Sequence, residues 1–211
     1  MVGYRSRTIM SQVSLDDLII AAKAGNLVSF PTDTVPALAT LPDCAELIFQ
    51  TKQRSQDKPL ILMVGEVADL WQFTQGTDRE IEIWQAVADR YLPGALTLVL
   101  PATDRIPIVM NPLRNNTIGV RVPAHDLARS ILNRTGALVT TSANLSGQPP
   151  LLTMAAISDL FPQVFTLDVD LNIRVGGVEA TPNRGQPSTV IKWTETGWHL
   201  LRQGAINFVD V

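Results

Sequence analysis

Three positively charged residues lie within seven positions, directly before an apolar run that is typical of a buried strand. They are Lys52, Arg54 and Lys58, and the Pro59 that follows stiffens the junction. Arginine makes forked contacts with phosphate oxygens and lysine supplies a compact charge, so the cluster indicates a polyphosphate site. The other interpretation is a solvated helix end, where cations complement the helix dipole.

Hydroxyl and amide side chains are concentrated in residues 140–147, directly after another apolar segment. Thr140, Ser142 and Asn144 lie there, and ligands commonly bind where strands leave an open α/β sheet. A hydrogen-bonded turn explains the segment equally well, because Ser and Asn favour turns for local reasons. The segment Pro-Thr-Asp-Thr at 31–34 also follows an apolar run, and by itself it favours a capping turn.

Two isolated arginines lie further along the chain. Arg121 lies inside the apolar run 117–122. Because arginine is rarely buried alone, Arg121 either reaches solvent from an exposed face or is paired at a site. Arg202 ends a strand candidate shortly before Gly204, and for this residue a surface role is the default interpretation.

The sequence lacks the templates of several common enzyme classes. It contains no Walker-type loop, no dinucleotide-binding glycine fingerprint after a strand and no His-Glu-x-x-His metal motif. Ser142 lacks the flanking glycines of a nucleophile elbow, and only His125 and His199 could serve as a histidine base, which disfavours a serine hydrolase. With Cys44 as its single cysteine, the chain can form no intramolecular disulfide and no cysteine-based zinc site.

The composition is that of one globular domain. The 211 residues are 45% hydrophobic, which is enough for a full core. The formal net charge is −3, whereas domains that bind nucleic acid over a broad surface are usually strongly basic. We find no signal-peptide core near the N-terminus and no stretch of the roughly 18 apolar residues that span a bilayer. We therefore expect a reduced, cytoplasmic protein without membrane contact.

Helix and strand patterns alternate along the chain and predict an α/β domain built on a twisted sheet. The helix patterns cover residues 14–25, 43–54, 66–73, 78–91, 125–134 and 153–161. The strand candidates cover residues 27–30, 60–64, 95–100, 117–122, 137–141, 164–169, 188–193 and 198–202. The polar segment 176–187, rich in glycine and proline, is the best candidate for a mobile lid.

Seven motifs, taken in order, resemble those of one family. They are PTDTV at 31–35, KQRSQDKPL at 52–60, PGALTLVLPA at 93–102, TIGVRVP at 117–123, TSANLSG at 141–147, PSTV at 187–190 and RQGAI at 202–206. The sequence resembles the YrdC-like family of threonylcarbamoyl-AMP synthases from about Ser14 to Ile206, and it is similar to the short, single-domain branch. The resemblance implies a YrdC-like domain at residues 14–207, after an N-terminal extension at 1–13. It also implies a mixed parallel and antiparallel sheet flanked by helices.

The resemblance further implies an ATP-dependent nucleotidyltransferase. Enzymes of this family convert L-threonine, bicarbonate and ATP into threonylcarbamoyl-adenylate and pyrophosphate, and the product serves to make threonylcarbamoyladenosine in tRNA. Mg²⁺ would enter bound to the ATP phosphates, without a metal site built from protein side chains. The implied partners are a downstream threonylcarbamoyl transferase complex and, transiently, tRNA.

Roles for individual residues follow from the same resemblance. The residues at the reacting phosphate would be Lys52 and Arg54. The residues that bind ATP would be Arg54, Lys58, Thr117, Ser142, Asn144 and Arg202, with Asn144 shaping the loop around Ser142. The residues that bind L-threonine would be Thr34, Arg121, Thr140 and Ser188, with Arg121 pairing with the carboxylate.

The sequence departs from the family pattern on the amino-acid side. Pro36 and Ala37 stand where the family usually has an aromatic residue and glycine, and Ala95 replaces a frequent proline. Met63 stands where the longer branch often has histidine. Two alternatives therefore stay open. One is a paralogue that binds nucleotide or RNA with a changed or lost amino-acid substrate. The other is a nucleic-acid-binding module, against which the acidic composition and the lack of clustered aromatic residues count.

Overall fold

The computed structural model describes residues 12–110, 116–170 and 185–210. The α-helices in these ranges are α1 (Leu15–Lys23), α2 (Glu46–Lys52), α3 (Val67–Leu70), α4 (Asp78–Tyr91), α5 (Asp126–Thr135) and α6 (Met154–Leu160). The strands are β1 (Gln12–Val13), β2 (Val28–Phe30), β3 (Ala37–Thr40), β4 (Ile61–Met63), β5 (Leu96–Pro101), β6 (Thr117–Arg121), β7 (Leu138–Ser142), β8 (Phe165–Leu167), β9 (Thr189–Thr194) and β10 (Gly197–Arg202). Short 3₁₀ helices cover Pro42–Cys44 and Ile108–Met110.

These strands form one sheet, in the order β1-β8-β2-β3-β7-β4-β6-β5-β9-β10. Four pairs are parallel, namely β1–β8, β2–β8, β4–β6 and β5–β9, and the remaining pairs are antiparallel. The sheet is therefore mixed, and its helices pack the apolar core against it. This single α/β domain confirms the predicted fold class. None of the helices in the described ranges is long and apolar enough to cross a membrane.

Two strands were not expected from the sequence. The central strand β3 lies between β2 and β7, and its four residues are all buried. A strand buried on both faces shows no polar alternation, and four residues are too few for an apolar run to be distinctive. The other strand is β1, which pairs with β8. Its two residues lie in the segment 1–13, which the sequence analysis placed in an N-terminal extension.

The predicted helix 43–54 is two shorter helices, and the way it ends matters for the site. A 3₁₀ turn covers Pro42–Cys44, and α2 follows it. The helix stops at Lys52 because Gln53 adopts a left-handed conformation with φ 50°. Arg54 therefore leaves the helix, whereas Lys52 stays in its last turn.

Two further expectations concern less regular segments. The predicted helix 66–73 is reduced to the short helix α3. Residues 176–184 of the proposed lid lie outside the described residues. At the described end of that segment, the Gly185 N–H donates to the Thr34 carbonyl oxygen at 3.0 Å, which brings the entry to β9 against the segment 31–34.

Candidate active site

A cavity of about 530 Å³ lies on one face of the sheet. Its floor is built from alternate residues of five adjacent strands, because every second side chain of a strand points to the same face. These floor residues are Thr140 and Ser142 on β7, Ile61 and Met63 on β4, Thr117, Gly119 and Arg121 on β6, Thr97 and Val99 on β5, and Val190 and Lys192 on β9.

The strand register places five of these residues in one row across the cavity. The row runs Lys192, Val99, Gly119, Ile61 and Thr140, each paired with the next. Four spacings of about 4.8 Å make the row roughly 19 Å long. This row measures the width of the floor across the strands, which is enough for an extended ligand.

The strand directions define the two ends of this cavity. The segment 54–60 leads into β4 on the same side of the row as Thr117, since β4 and β6 are parallel. Ser142 lies on that side too, because β7 is antiparallel to β4. We call this side the Thr117 end. The opposite side, the Arg121 end, is formed where Arg121 pairs with Met63.

At the Thr117 end, Arg54 is held by the loop that it begins. Its Nε donates to the Lys58 carbonyl at 3.2 Å, and its Nη2 donates to the Pro59 carbonyl at 3.0 Å. Arg54, Asp57 and Lys58 all line the cavity. Burial lowers the pKa of Arg54, and the charge of Asp57 opposes this effect. The loop therefore presents an oriented guanidinium beside an exposed lysine.

Lys52, by contrast, lies behind the cavity wall and is not among the residues that line it. Its side chain is 1% exposed. The ammonium donates to the Asn144 carbonyl at 2.6 Å, to Asn144 Oδ1 at 3.2 Å and to the Ser142 carbonyl oxygen. The sequence analysis placed this cation beside the phosphates, next to Arg54. The structure instead places it under the turn after β7, because α2 buries its last turn.

The charge state of Lys52 reflects two opposing effects. Burial lowers the pKa of its ammonium to about 7, and the nearby positive charge of Arg54 acts in the same direction. Three oxygen acceptors face it, which is the number of N–H donors of a protonated lysine, so these hydrogen bonds favour the charged form. Lys52 therefore orders the turn that carries Ser142.

Asn144 contributes to the same turn from inside. Its Nδ2 donates to the Leu145 and Gln148 carbonyls at 2.7 and 2.8 Å, and its Oδ1 accepts from Ser142 Oγ at 2.5 Å. Asn144 is buried and is not among the cavity-lining residues, whereas Ser142 is one of them. Ser142 is thus the cavity-lining residue of a turn that Asn144 and Lys52 hold in place.

At the opposite end, Arg121 is 3% exposed and fully oriented. Its Nε donates to the Gly94 carbonyl at 3.0 Å, its Nη1 to Thr34 Oγ1 at 2.8 Å and its Nη2 to Asp33 Oδ1 at 2.6 Å. These bonds occupy three of five N–H donors and leave two for a ligand. Burial lowers the pKa of Arg121, the charge of Asp33 raises it, and the nearby Arg202 lowers it again.

Ser188 and Arg202 complete the Arg121 end. Ser188 Oγ shares a hydrogen bond with Thr97 Oγ1 at 2.9 Å. Arg202 donates to the Ser188 carbonyl from Nε at 3.2 Å and from Nη2 at 2.8 Å. Gly204 allows this approach, since a Cβ there would lie 2.3 Å from the Pro187 carbonyl oxygen. The sequence analysis assigned Arg202 to the nucleotide, and the structure places it against the residues predicted to bind threonine.

Sequence reasoning brought most of this site together but missed several members. Nine of the predicted site residues line the same cavity, namely Thr34, Arg54, Lys58, Thr117, Arg121, Thr140, Ser142, Ser188 and Arg202. Asp33, Thr97, Gly119 and Lys192 were not singled out. Asp33 was open to inference, because a buried arginine requires a partner. The other three could be found only from the strand register, which the sequence alone does not specify.

Residues 21–204 match the sequence model of the Sua5, YciO and YrdC proteins, whose description reads "telomere recombination". The chain belongs to this family. The resemblance seen in the seven motifs is therefore confirmed over most of the chain.

Relatives in the Sua5/YciO/YrdC family carry the name threonylcarbamoyl-AMP synthase. The Pyrococcus abyssi protein is 32% identical over 193 residues, which are 90% of this chain and 53% of that protein. The Vibrio vulnificus (strain YJ016) protein is 34% identical over 150 residues, or 69% and 80% of the two chains. The human protein is 32% identical over 146 residues, or 67% and 50%. The chain thus spans about half the length of the archaeal and human relatives.

Known structures agree with the sheet described above. The crystal structure of P. abyssi Sua5 complexed with L-threonine superimposes with a TM-score of 0.76 at 30% identity, over 92% of this chain and 55% of that one. Escherichia coli YciO superimposes with a TM-score of 0.75 at 21% identity, over 92% and 90% of the two chains. The second likeness concerns the fold alone.

Proposed function

We propose that this protein is a cytoplasmic threonylcarbamoyl-AMP synthase, which makes threonylcarbamoyl-adenylate and pyrophosphate from L-threonine, bicarbonate and ATP. The observation that carries this proposal is the single cavity with two different polar ends. The Thr117 end offers Arg54, Lys58, Thr117 and Ser142, and the Arg121 end offers an oriented guanidinium among hydroxyl groups. The names of the relatives and the L-threonine complex of P. abyssi Sua5 support the same function.

The Thr117 end suits the phosphates of ATP. Arg54 and Lys58 supply two positive charges, and Thr117 and Ser142 supply hydroxyl groups. Lys52 and Asn144 act on this ligand indirectly, by fixing the turn that presents Ser142. Mg²⁺ bound to ATP would supply further positive charge here, and since Asp57 is the one carboxylate among the described lining residues, phosphates and water would supply most of its ligands.

The Arg121 end suits the amino acid. The two N–H donors that Arg121 retains match the two oxygens of a carboxylate. Thr34 and Ser188 supply hydroxyl oxygens at this end, and Thr140 supplies one from the central row of the floor. Arg202 lies across Ser188 and adds positive charge, which favours a second anionic group such as a carbamate.

The proposed reaction needs little proton transfer from the protein. The threonine amine combines with bicarbonate to give a carbamate and water. A carbamate oxygen then attacks the α-phosphorus of ATP, forming a new P–O bond, and the bond to the bridging oxygen breaks as pyrophosphate leaves with its electron pair. The carbamate is already an anion, so the residues act by positioning two anions and by neutralising the charge that develops on the phosphates.

A second candidate function follows from the positions of Pro36 and Ala37. Both residues line the cavity, so their departure from the family pattern faces the ligand. A paralogue with a changed or lost amino-acid substrate, which binds nucleotide or RNA, is consistent with this position. Transfer of the product to a tRNA-modifying transferase complex belongs to the leading proposal and not to this one.

Pyrophosphate release separates the two candidates. The protein is incubated with ATP, Mg²⁺ and bicarbonate, with and without L-threonine, and with serine and other amino acids in parallel. We expect release that depends on threonine and needs no RNA. Release with another amino acid, or none despite ATP binding, would instead establish the paralogue.

Substitution of Gly119 tests whether the cavity floor receives the nucleotide. A Cβ at this position would lie 3.4 Å from Ile61 Cγ1 and from Thr97 Cγ2, and 3.9 Å from Ile61 Cα. The Gly119→Val variant should therefore fold, because valine favours strands, while its methyl groups occupy the centre of the floor. We expect ATP affinity to fall at least about tenfold, which corresponds to about 1.4 kcal/mol.

Calorimetric titration of ATP and urea unfolding together check this expectation. Gly119→Ala is the matched control, because it adds one methyl group in near-normal contact and should lose less affinity. Unchanged ATP affinity in the valine variant would place the nucleotide elsewhere.

A further inference from the structure

Lys192 is a cation on the cavity floor that none of the sequence motifs contains. It lies on β9 two residues after Val190, and both side chains line the cavity. The register pairs Lys192 with Val99 on β5, and Val99 pairs with Gly119 on β6. The backbone of Lys192 is thus two strand spacings, about 10 Å, from Gly119, which has no side chain and lies at the centre of the floor. The loop of Arg54 and Lys58 leads into β4, which is three strands from β9 across the floor.

Ordinary structural roles do not account for this lysine. Lysines often protect exposed edge strands, but β9 is paired on both sides, with β5 and β10. Within the described residues, the Lys192 ammonium makes no hydrogen bond or ion pair. Glu80 contacts Trp193, the residue after Lys192, but its carboxylate accepts from the Trp193 indole N–H and the Thr77 hydroxyl and not from Lys192. Lys192 is therefore a charged residue of the cavity floor that has no partner among the described residues.

The charge balance of the cavity indicates what that partner is. Among the described lining residues, five are cations and Asp57 is the one carboxylate. The cations are Arg54, Lys58, Arg121, Lys192 and Arg202. Asp33 already neutralises Arg121, and Arg202 is bound to Ser188 at the same end. Lys192 on β9 and the Arg54 loop before β4 are then left three strand spacings apart across the floor, which suits a ligand with several negative charges between them.

We propose that Lys192 binds the polyphosphate chain of the nucleotide from the β9 side of the cavity, across the floor from Arg54 and Lys58. This inference rests on the proposed function, because it takes ATP as the ligand of the Thr117 end. Positive charges on both sides of the floor neutralise a triphosphate, and they stabilise pyrophosphate as it leaves. The lysine is a binding residue for ATP, and it does not contact the amino acid.

Binding measurements on a Lys192→Met variant test the proposal. ATP, inorganic tripolyphosphate and L-threonine are titrated separately into the wild-type protein and the variant by calorimetry. We expect affinity for ATP and for tripolyphosphate to fall about tenfold, as for loss of one charge-assisted contact. Affinity for L-threonine should stay unchanged. Lys192→Arg should retain most of the phosphate affinity, because it keeps the charge.

Lys23→Met is the matched control, since Lys23 lies exposed in the last turn of α1. This variant should bind all three ligands like the wild type. Equal ATP and tripolyphosphate affinities in Lys192→Met and the wild type would overturn the proposal. So would a parallel loss of threonine affinity, which indicates a structural role. Failure of the proposed function has a different signature: the wild type then binds ATP without threonine-dependent pyrophosphate release, and the phosphate titrations still decide the role of Lys192.

Discussion

Replacement of Arg121 by methionine should abolish threonine-dependent pyrophosphate release and lower the free energy of unfolding by about 3 kcal/mol. The first effect follows because the variant loses the donors that we propose for the threonine carboxylate. The second follows because Asp33, which is 8% exposed, keeps a buried charge without its partner at 2.6 Å. Pyrophosphate release and urea unfolding measure the two effects independently.

A double variant separates these two consequences. Arg121→Met combined with Asp33→Asn removes the unpaired charge, so most of the stability should return while activity stays absent. Arg134→Met is the matched control, since Arg134 pairs with Asp16 on the exposed surface and should cost less than about 1 kcal/mol. Threonine-dependent turnover in the single variant would contradict the assignment of Arg121 to the amino acid.

Replacement of Arg54 by alanine should lower turnover at least about 100-fold, as for removal of a donor that stabilises transition-state charge. The free energy of unfolding should change by no more than about 1 kcal/mol, because the lost hydrogen bonds join Arg54 to carbonyls of an exposed loop. Steady-state release of pyrophosphate and urea unfolding are the two measurements.

Two further variants sharpen the Arg54 experiment. Arg54→Lys keeps the charge but loses the forked geometry, so an intermediate turnover is expected. Arg79→Ala changes an exposed arginine of α4 and should leave both quantities unchanged. Global unfolding of Arg54→Ala would show that the residue supports the fold and would remove it from the proposed phosphate site.

The sequence was most informative where function and local structure coincide. The helix predicted at 78–91 has those bounds in the structure, because Thr77 and Glu80 form a capping box that marks its start. The seven motifs together contain most of the residues that line the cavity, since each contains or adjoins a strand that delivers it there. Local patterns of this kind depend on neighbours in the chain.

Burial of individual side chains was less predictable, as Lys52 and Asn144 show. Lys52 was predicted beside the phosphates, yet it supports the turn of Ser142 from behind, together with Asn144, which was predicted to shape that loop. The left-handed backbone conformation of Gln53 turns Arg54 toward the cavity, whereas Lys52 stays under the turn after β7. One backbone angle decides this difference, and helix propensity does not specify it.

The sequence by itself determined the fold class, the family and the chemical character of the site, because strands, turns and charged motifs are written in local order. The tertiary structure alone decided which residues face one another. Lys192 and Gly119 share a row although 73 positions separate them, and Asp33 reaches Arg121 across 88 positions. These contacts follow from strand order and register, which depend on packing of the whole sheet and leave no local pattern in the chain.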